Sequence, residues 1–204
     1  MKTDIYTLAH EVKNPLCVVK GYLEMLNKEN FLKYKEIIND ELNESINILD
    51  NYLEYRKMVI NKEIMDINLL LSDIKKSYKA YLKKKGINLK INLVDDDIYL
   101  MGDYNKLKQV FYNIIKNSCE AFSKNIFIDY KIKENKIIIR IKNDGLKIMD
   151  DNLDKVGTNY TSKVMGNGIG VNLSKKIIEM HGGKIKYKNN FDAGISVIIT
   201  LLLS

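Results

Sequence analysis

The stretch Leu8–Leu16 contains the side chains whose types and order are best suited to carry out chemistry. His10 is one of only two histidines, Glu11 follows it directly, and Pro15 is the only proline. An imidazole can act as a nucleophile when a neighbouring carboxylate binds one ring nitrogen and leaves the other free. Pro15 removes a backbone donor, so the helix is expected to bend or loosen beside His10. The alternative is a solvated helical histidine followed by a chance proline.

Asn113 and Asn117 form a second candidate group. They stand four residues apart within a segment of helical apolar spacing, which places both carboxamides on one face of the helix. A carboxamide oxygen suits a hard cation such as Mg²⁺, which keeps most of its waters and takes phosphate oxygens as other ligands. The alternative is the polar edge of a buried helix.

Three later segments combine glycines, hydroxyl groups and a cation. The Asn-Asp-Gly stretch at 143–145 ends a predicted strand, where it can meet a ligand or form an ordinary turn. Thr158–Lys163 supplies hydroxyls and an ammonium group. Gly166–Gly170 opens directly into a helix, so its backbone amides and the helix N-terminus can face phosphates, although such a loop can also be a hinge.

Apolar periodicity predicts two helices that position His10. The first runs from about Asp4 to Lys28 and the second from about Phe31 to Ile60, with a polar turn between them. A lone hairpin leaves its apolar stripe half covered, so pairing with a second copy as a dimeric four-helix bundle is expected. The first stripe, which leaves His10 outside, is Ile5, Leu8, Val12, Leu16, Val19, Leu23 and Leu26, and the second is Ile38, Leu42, Ser45, Leu49 and Tyr52.

After Asn61 short strands alternate with helices, which predicts an α/β sandwich with helices on one face of a sheet. The whole chain is thus predicted to be α+β, with one domain at 1–61 and another at 62–204. Strands are expected at Glu63–Ile67, Ile87–Leu93, Ile98–Met101, Ile126–Ile132, Lys136–Ile141, Lys184–Lys188 and Ile195–Leu202; helices are expected at Asn68–Lys85, Asp103–Phe122 and Ile169–His181, the first two capped by Asn68 and Asp103.

Composition excludes several classes of protein. The 204 residues have a 46% hydrophobic share and a formal net charge of +7, as in many soluble globular proteins. No apolar run approaches the roughly 20 residues of a membrane helix, and no signal peptide is expected. Cys17 and Cys119 are predicted to be free thiols, which favours the cytoplasm. The lysines at 75–85 favour a solvated helix face over nucleic-acid binding, and positive charge can steer an acidic protein partner.

Five segments, taken in order, resemble the motifs of the catalytic core of bacterial sensor histidine kinases. This family combines a dimerisation and phosphoacceptor hairpin with a Bergerat-type ATP-binding domain, and the segment Lys175–Gly183 is closest to its sporulation- and nutrient-type members. The matching segments are Leu8–Pro15 for the H box, Asn113–Ala121 for the N box, Lys142–Ile148 for the first glycine box, Tyr160–Lys163 for the segment before the second glycine box, and Gly166–Gly170 for the second glycine box itself.

The resemblance implies a role for each residue that matches a motif. His10 would accept the γ-phosphoryl group of ATP, Glu11 would be the neighbouring base, and Asn14 would orient water for dephosphorylating a regulator. Asn117 would bind Mg²⁺ with Asn113 supporting the phosphates. The remaining nucleotide contacts would come from Asn143, Gly145, Thr161, Lys163, Gly166, Gly168 and Gly170. His181 receives no such role and is interpreted as a residue that ends a helix.

The implied function is a histidine autokinase of a two-component system, which uses ATP and Mg²⁺ and passes the phosphoryl group to an aspartate of a response regulator receiver domain. Asn113 stands where ATPases such as DNA gyrase carry a glutamate, so ATP hydrolysis is disfavoured. Asn143 replaces an aspartate and Lys147 a glycine of the first glycine box, so weaker ATP binding is expected. The alternative is a phosphotransferase, regulator phosphatase or scaffold with a degenerate ATP domain. A sensor module is expected outside this chain.

Overall fold

The structure is a computed structural model that describes residues 5–93, 97–149, 153 and 169–204. The chain divides into two compact units. The first contains the N-terminal helices and reaches Met58, and the second begins at Val59 and contains both sheets. No helix among the described residues is long and apolar enough to cross a lipid bilayer.

The first unit is an antiparallel helical hairpin of α1, Ile5–Glu24, and α2, Phe31–Lys57. Helix α1 continues through the buried Pro15, so the expected loosening does not interrupt the helix. It ends before the predicted Lys28 because asparagine side chains close the connection. Asn27 Oδ1 accepts the Asn30 N–H at 3.0 Å, and Asn30 Oδ1 accepts the Asn27 N–H at 2.8 Å.

The hairpin buries few side chains of its own, among them Val19, Ser45 and Ile48. A stripe of leucine and isoleucine stays exposed along α2 at spacings of four and three residues, and an apolar groove of about 380 Å³ runs beside α1. Such a stripe is typical of a helix face that packs against another helix. The exposed α2 stripe is Leu42, Ile46, Leu49 and Leu53, and the groove is lined by Ile5, Leu8, Ala9, Val12, Lys13, Leu16 and Leu49.

The second unit contains two sheets. The strands are β1, Glu63–Asp66; β2, Asn88–Ile91; β3, Tyr99–Gly102; β4, Asn125–Lys133; β5, Lys136–Asn143; β6, Lys184–Asn189; and β7, Ile195–Leu202. β1 pairs with β3, while the other five form one sheet in the order β2-β4-β5-β7-β6. Among the described residues, only the β2–β4 pairing is parallel. The mixed sheet confirms the predicted α+β class.

The described part of this unit also contains the helices α3, Ile67–Lys84; α4, Tyr104–Glu120; and α5, Ile169–Met180. Asp103 caps α4 as predicted, since its side chain accepts the Lys106 N–H at 3.1 Å. The predicted cap of α3 was wrong by two residues. Asp66, at the end of β1, accepts the Asn68 N–H at 2.8 Å, so the helix begins directly where the strand ends.

The core of the second unit lies on one face of the five-stranded sheet. In β5 the buried Ile137, Ile139 and Ile141 alternate with the more exposed Ile138 and Arg140, the period-two pattern of a strand with one buried face. The inner side of α4 provides Leu107, Val110, Phe111, Ile114 and Ile115, all buried. This packing orients the polar face of α4, on which the candidate asparagines lie.

Candidate functional site

His10 lies on α1 with its ring exposed to solvent. The ring makes an edge contact with Tyr6, with ring centroids 4.6 Å apart and an interplanar angle of 68°. No described residue hydrogen-bonds to either ring nitrogen, so the contact orients the imidazole and leaves both nitrogens accessible. An accessible, oriented imidazole is what nucleophilic attack requires.

Glu11 is half-buried next to His10, and desolvation raises the pKa of its carboxyl group from 4.5 to about 7. Its Oε2 atom is buried and has no hydrogen-bond partner among the described residues. The expected bond from Glu11 to the imidazole is therefore absent from this conformation, and Tyr6 contacts the ring instead. A carboxyl group with a pKa near neutrality and a spare oxygen is suited to take up a proton.

Asn14 is exposed on α1, four residues after His10. That spacing places the two side chains on the same side of the helix. His10, Glu11 and Asn14 therefore form one group on the hairpin, while the other described candidates lie in the second unit.

In the second unit, Asn113 and Gly170 are in direct contact. Asn113 Nδ2 donates to the Gly170 carbonyl oxygen and to Ser174 Oγ, both at 3.3 Å, and the Ser174 hydroxyl donates to the same carbonyl at 2.8 Å. The half-buried Asn117 lies one turn further along α4. The contacts join the asparagine helix to the start of α5, two elements that the sequence places far apart. Ser174 was not predicted, because nothing around it in the sequence distinguishes it.

Asn143 is almost completely buried at the end of β5, with 2% of its surface exposed. Its Nδ2 donates to Ser118 Oγ at 3.1 Å, while its Oδ1 accepts the N–H groups of Gly145 at 3.1 Å and Ile195 at 3.3 Å. The side chain therefore joins β5 to α4, to the following turn and to β7. Its oxygen already accepts two hydrogen bonds, so a further donor from a ligand has to compete with them.

Asp144 has a structural role that the sequence did not indicate. Its carboxylate accepts the Lys124 N–H at 2.8 Å, the Asn125 N–H at 2.9 Å and the Asn125 Nδ2 at 2.7 Å. Partial burial raises the pKa of Asp144, but the hydrogen bonds from Asn125 and Lys124 outweigh it and hold the pKa below its usual value. Asp144 thus fastens the turn after β5 to the start of β4.

Lys147 Nζ donates to the Phe191 carbonyl oxygen at 2.8 Å, in the turn between β6 and β7. The neighbouring Ile148 exchanges two hydrogen bonds with the Asn189 side chain, at 3.0 Å and 2.6 Å. The lysine that replaces a motif glycine therefore helps to hold the loop after β5 against the end of β6.

Gly145 lies where the chain leaves no room for a side chain. A Cβ atom there would be 2.3 Å from the Ala121 carbonyl oxygen and 2.6 Å from Ser123 Oγ. The Ser123 hydroxyl is buried and lacks a hydrogen-bond partner among the described residues. The close approach of the 143–145 turn to the end of α4 therefore depends on glycine.

We expect Gly145→Ala to lower the free energy of unfolding by about 1–3 kcal/mol, because a backbone atom cannot move away cheaply from the new methyl group. Urea denaturation measures the change. Gly170→Ala is the matched control, since its methyl would meet Asn113 at ordinary contact distances of 3.5 Å and more. Equal losses in both variants would contradict the prediction.

Four residues predicted for the nucleotide loop, Thr161, Lys163, Gly166 and Gly168, lie outside the described residues. Gly170, the fifth residue predicted for this loop, is described, and its carbonyl oxygen accepts a hydrogen bond from Asn113. The assignment of the other four rests on the sequence motifs.

Two family models match the chain. Residues 5–59 match the His Kinase A (phospho-acceptor) domain, and residues 102–204 match the histidine kinase-, DNA gyrase B-, and HSP90-like ATPase family. The first match covers the hairpin with His10, and the second begins at the end of β3 and includes α4, β5 and α5.

The chain is also similar to curated kinases and to a solved histidine kinase structure. Sporulation kinases B and E of Bacillus subtilis (strain 168) are 32% and 30% identical over 96% and 95% of this chain. The chain spans 48% and 27% of the length of these two relatives. The crystal structure of the histidine kinase ThkA in complex with the response regulator protein TrrA is 26% identical, with a TM-score of 0.82, over 96% of this chain and 60% of that chain.

The architecture is thus that of a phospho-acceptor hairpin joined to an ATPase-type α/β domain. The chain belongs to the sensor histidine kinase family, and it corresponds to the catalytic core of such a kinase. This confirms the resemblance drawn from the motifs.

Proposed function

We propose that this chain is the catalytic core of a two-component histidine autokinase, which transfers the γ-phosphoryl group of ATP to His10 and then to an aspartate of a response regulator receiver domain. The observation that carries the proposal is an exposed His10 imidazole whose ring nitrogens have no hydrogen bond from a described residue. Next to it stands Glu11, whose carboxyl pKa burial raises to about 7. The response regulator bound to the relative ThkA supports the choice of partner.

In the transfer step, one nitrogen of the His10 ring forms the N–P bond. The bond between the γ-phosphorus and the bridging oxygen breaks, and ADP departs with its electron pair. The other ring nitrogen then gives up its proton, and the Glu11 carboxylate would accept it after turning toward the ring. Glu11 Oε2 has no hydrogen-bond partner among the described residues that would hold it back. Phosphoryl transfer of this kind needs little covalent help beyond alignment and charge neutralisation.

The nucleotide would be held between α4, the turn after β5 and the start of α5. Asn113 and Gly170, already in contact, would lie at the phosphates, and Asn143 and Gly145 would lie at the base. The lid and phosphate loop would come from Thr161, Lys163, Gly166 and Gly168.

The Asn117 carboxamide would hold Mg²⁺. Among the described residues, no group of three His, Cys, Asp or Glu side chains could hold a metal ion. A single carboxamide oxygen therefore suits a cation that takes its other ligands from phosphates and water, as Mg²⁺ does. When bound, the ion would neutralise negative charge on the phosphates.

We expect ATP to bind more weakly to this chain than to its Asn143→Asp variant, by about fivefold. A charged acceptor strengthens a hydrogen bond to the adenine amino group by about 1 kcal/mol over a neutral amide. The Ser118 hydroxyl can turn to donate to the new carboxylate in place of its bond to Ile114. Calorimetric titration with ATP and Mg²⁺ measures both affinities, and a weaker variant would contradict the expectation.

A second candidate function is a phosphotransferase, regulator phosphatase or scaffold with a degenerate ATP domain. The specific observation in its favour is that Asn143 Oδ1 already accepts two backbone N–H groups. In this function Asn14, exposed one turn after His10, would orient a water molecule toward the phosphorylated regulator. The two candidates differ in whether ATP labels the protein.

We also propose that the hairpin pairs with a second copy as a four-helix bundle, because the α2 stripe and the groove beside α1 are uncovered. Leu49 belongs to both features. We expect Leu49→Glu to shift the protein from dimer to monomer in sedimentation equilibrium. Leu69→Glu, at an exposed position on α3, is the control and should stay dimeric. A wild-type protein that is monomeric at high micromolar concentration would contradict this proposal.

The decisive experiment for the kinase function is incubation with γ-labelled ATP and Mg²⁺, followed by addition of a receiver domain. Label on the kinase should be labile in acid and stable in alkali, and it should then move to the receiver. Absence of label together with measurable regulator dephosphorylation would favour the second candidate. We place the core in the cytoplasm, where ATP and receiver domains occur, with a sensor module outside this chain.

A further inference from the structure

His181, the other histidine, is buried, with 6% of its surface exposed, and it follows α5 directly. Its Nδ1 is 2.7 Å from the Ile177 carbonyl oxygen, and its Nε2 accepts the backbone N–H of Asp103 at 2.9 Å. A carbonyl oxygen can only accept and a backbone N–H can only donate. The ring is therefore neutral, with its proton on Nδ1 and both nitrogens engaged.

Asp103, the partner of His181, is a junction of three elements. Its Oδ1 caps α4 by accepting the Lys106 N–H, and its Oδ2 accepts the Asn61 N–H, each at 3.1 Å. The backbone N–H of Asp103 donates to His181 Nε2. His181 thus fastens the start of α4, together with the segment between α2 and β1, to the end of α5.

A second set of hydrogen bonds joins the same two helices further along α4. Asn113 contacts Gly170 and Ser174 near the beginning of α5. Asp103 and Asn113 are ten residues apart, which is about 15 Å along a helix at 1.5 Å per residue. Two hydrogen-bonded contacts separated by that length set the register of α4 along α5, because one contact alone would let the helix slide or tilt.

We propose that His181 is a positioning residue for the nucleotide site. It holds α4 in register with α5, and it thereby keeps Asn113 and Asn117 in place for the phosphates and Mg²⁺. The part of this inference that concerns the nucleotide rests on the proposed function. Loss of the imidazole would leave the part-buried Asp103 N–H without its acceptor, so the start of α4 would shift to find another.

The test compares His181→Phe with His181→Gln in the full chain. Phenylalanine fills the space without an acceptor, whereas the glutamine side-chain oxygen can accept the Asp103 N–H. We expect Phe to weaken binding of a non-hydrolysable ATP analogue about tenfold, and Gln to stay within about threefold, at a temperature where every variant is folded. Leu201→Ala, in β7, is a matched control that loses stability in the core while keeping its affinity.

A second readout needs no nucleotide. In ¹H–¹⁵N spectra, the side-chain amide of Asn113 and the backbone amide of Gly170 should shift in His181→Phe and stay unchanged in His181→Gln and Leu201→Ala. A purely structural role for His181 would lower the unfolding temperature and leave both amides and the affinity unchanged, and that result would overturn the inference. A wild-type chain that binds no nucleotide would instead refute the proposed function, and the amide shifts would then decide the role of His181.

Discussion

Replacing His10 with glutamine should remove all acid-labile label from the protein during incubation with γ-labelled ATP and Mg²⁺. The glutamine amide is not nucleophilic, so the N–P bond cannot form. The fold should be preserved, because the ring is exposed and makes one aromatic contact, with Tyr6, and no hydrogen bond to a described residue. Autoradiography after acid and alkali treatment measures the label, and calorimetry should give unchanged ATP affinity.

The chain offers a matched control in its other histidine. His181→Gln should keep the label, since His181 is buried and both of its ring nitrogens are engaged. Label that persists in His10→Gln, or that disappears only in His181→Gln, would contradict the assignment of the phosphoacceptor.

The second large effect is expected at Glu11. Glu11→Gln should slow autophosphorylation by about 10²- to 10⁴-fold, the usual contribution of a positioned proton acceptor. In the wild-type protein the rate should rise with pH through about 7, where the desolvated carboxyl group ionises. Glutamine does not ionise, so this rise should be missing from the pH profile of the variant. A profile unchanged by the substitution would show that Glu11 is not the base.

Glu11→Gln should slow autophosphorylation but raise the stability of the protein. The pKa of the Glu11 carboxyl group is about 7 in the folded state and 4.5 in the unfolded chain, so the folded state binds more protons between these two pH values. The free energy of unfolding contributed by Glu11 is therefore present below pH 4.5 and is lost as the pH rises through about 7. Glutamine resembles the protonated form, so the variant should be more stable than wild type at pH 8 in urea denaturation.

Most elements of the fold could be predicted because their signals are local. The apolar spacing of α1 and α2, the alternation in β5 and the cap at Asp103 each depend on a few neighbouring residues. The errors fall where a side chain outside the periodic pattern decides a boundary. Asn27 and Asn30 close the hairpin connection early, and Asp66 caps α3 from the preceding strand.

The sequence proposed the residues of the candidate site, but it could not give their contacts. The motifs, taken in order, identified the candidates His10, Glu11, Asn113, Asn117 and Asn143. The chemistry of each side chain then suggested a role. The bonds of Asn143 to Ser118 and Ile195 cross 25 and 52 residues of chain, and Asn113 reaches Gly170 across 57. No spacing rule connects residues so far apart.

The sequence by itself determined the family and the α+β class, and it named candidate residues for phosphotransfer, because these inferences follow from residue types at short spacings. Only the tertiary structure decided that Glu11 is desolvated, that the Asn143 side-chain oxygen already accepts two hydrogen bonds, and that His181 joins α5 to the start of α4 across 78 residues. Burial and long-range hydrogen bonding arise from the packing of distant segments, and they set the pKa and the position of groups whose identity was already known.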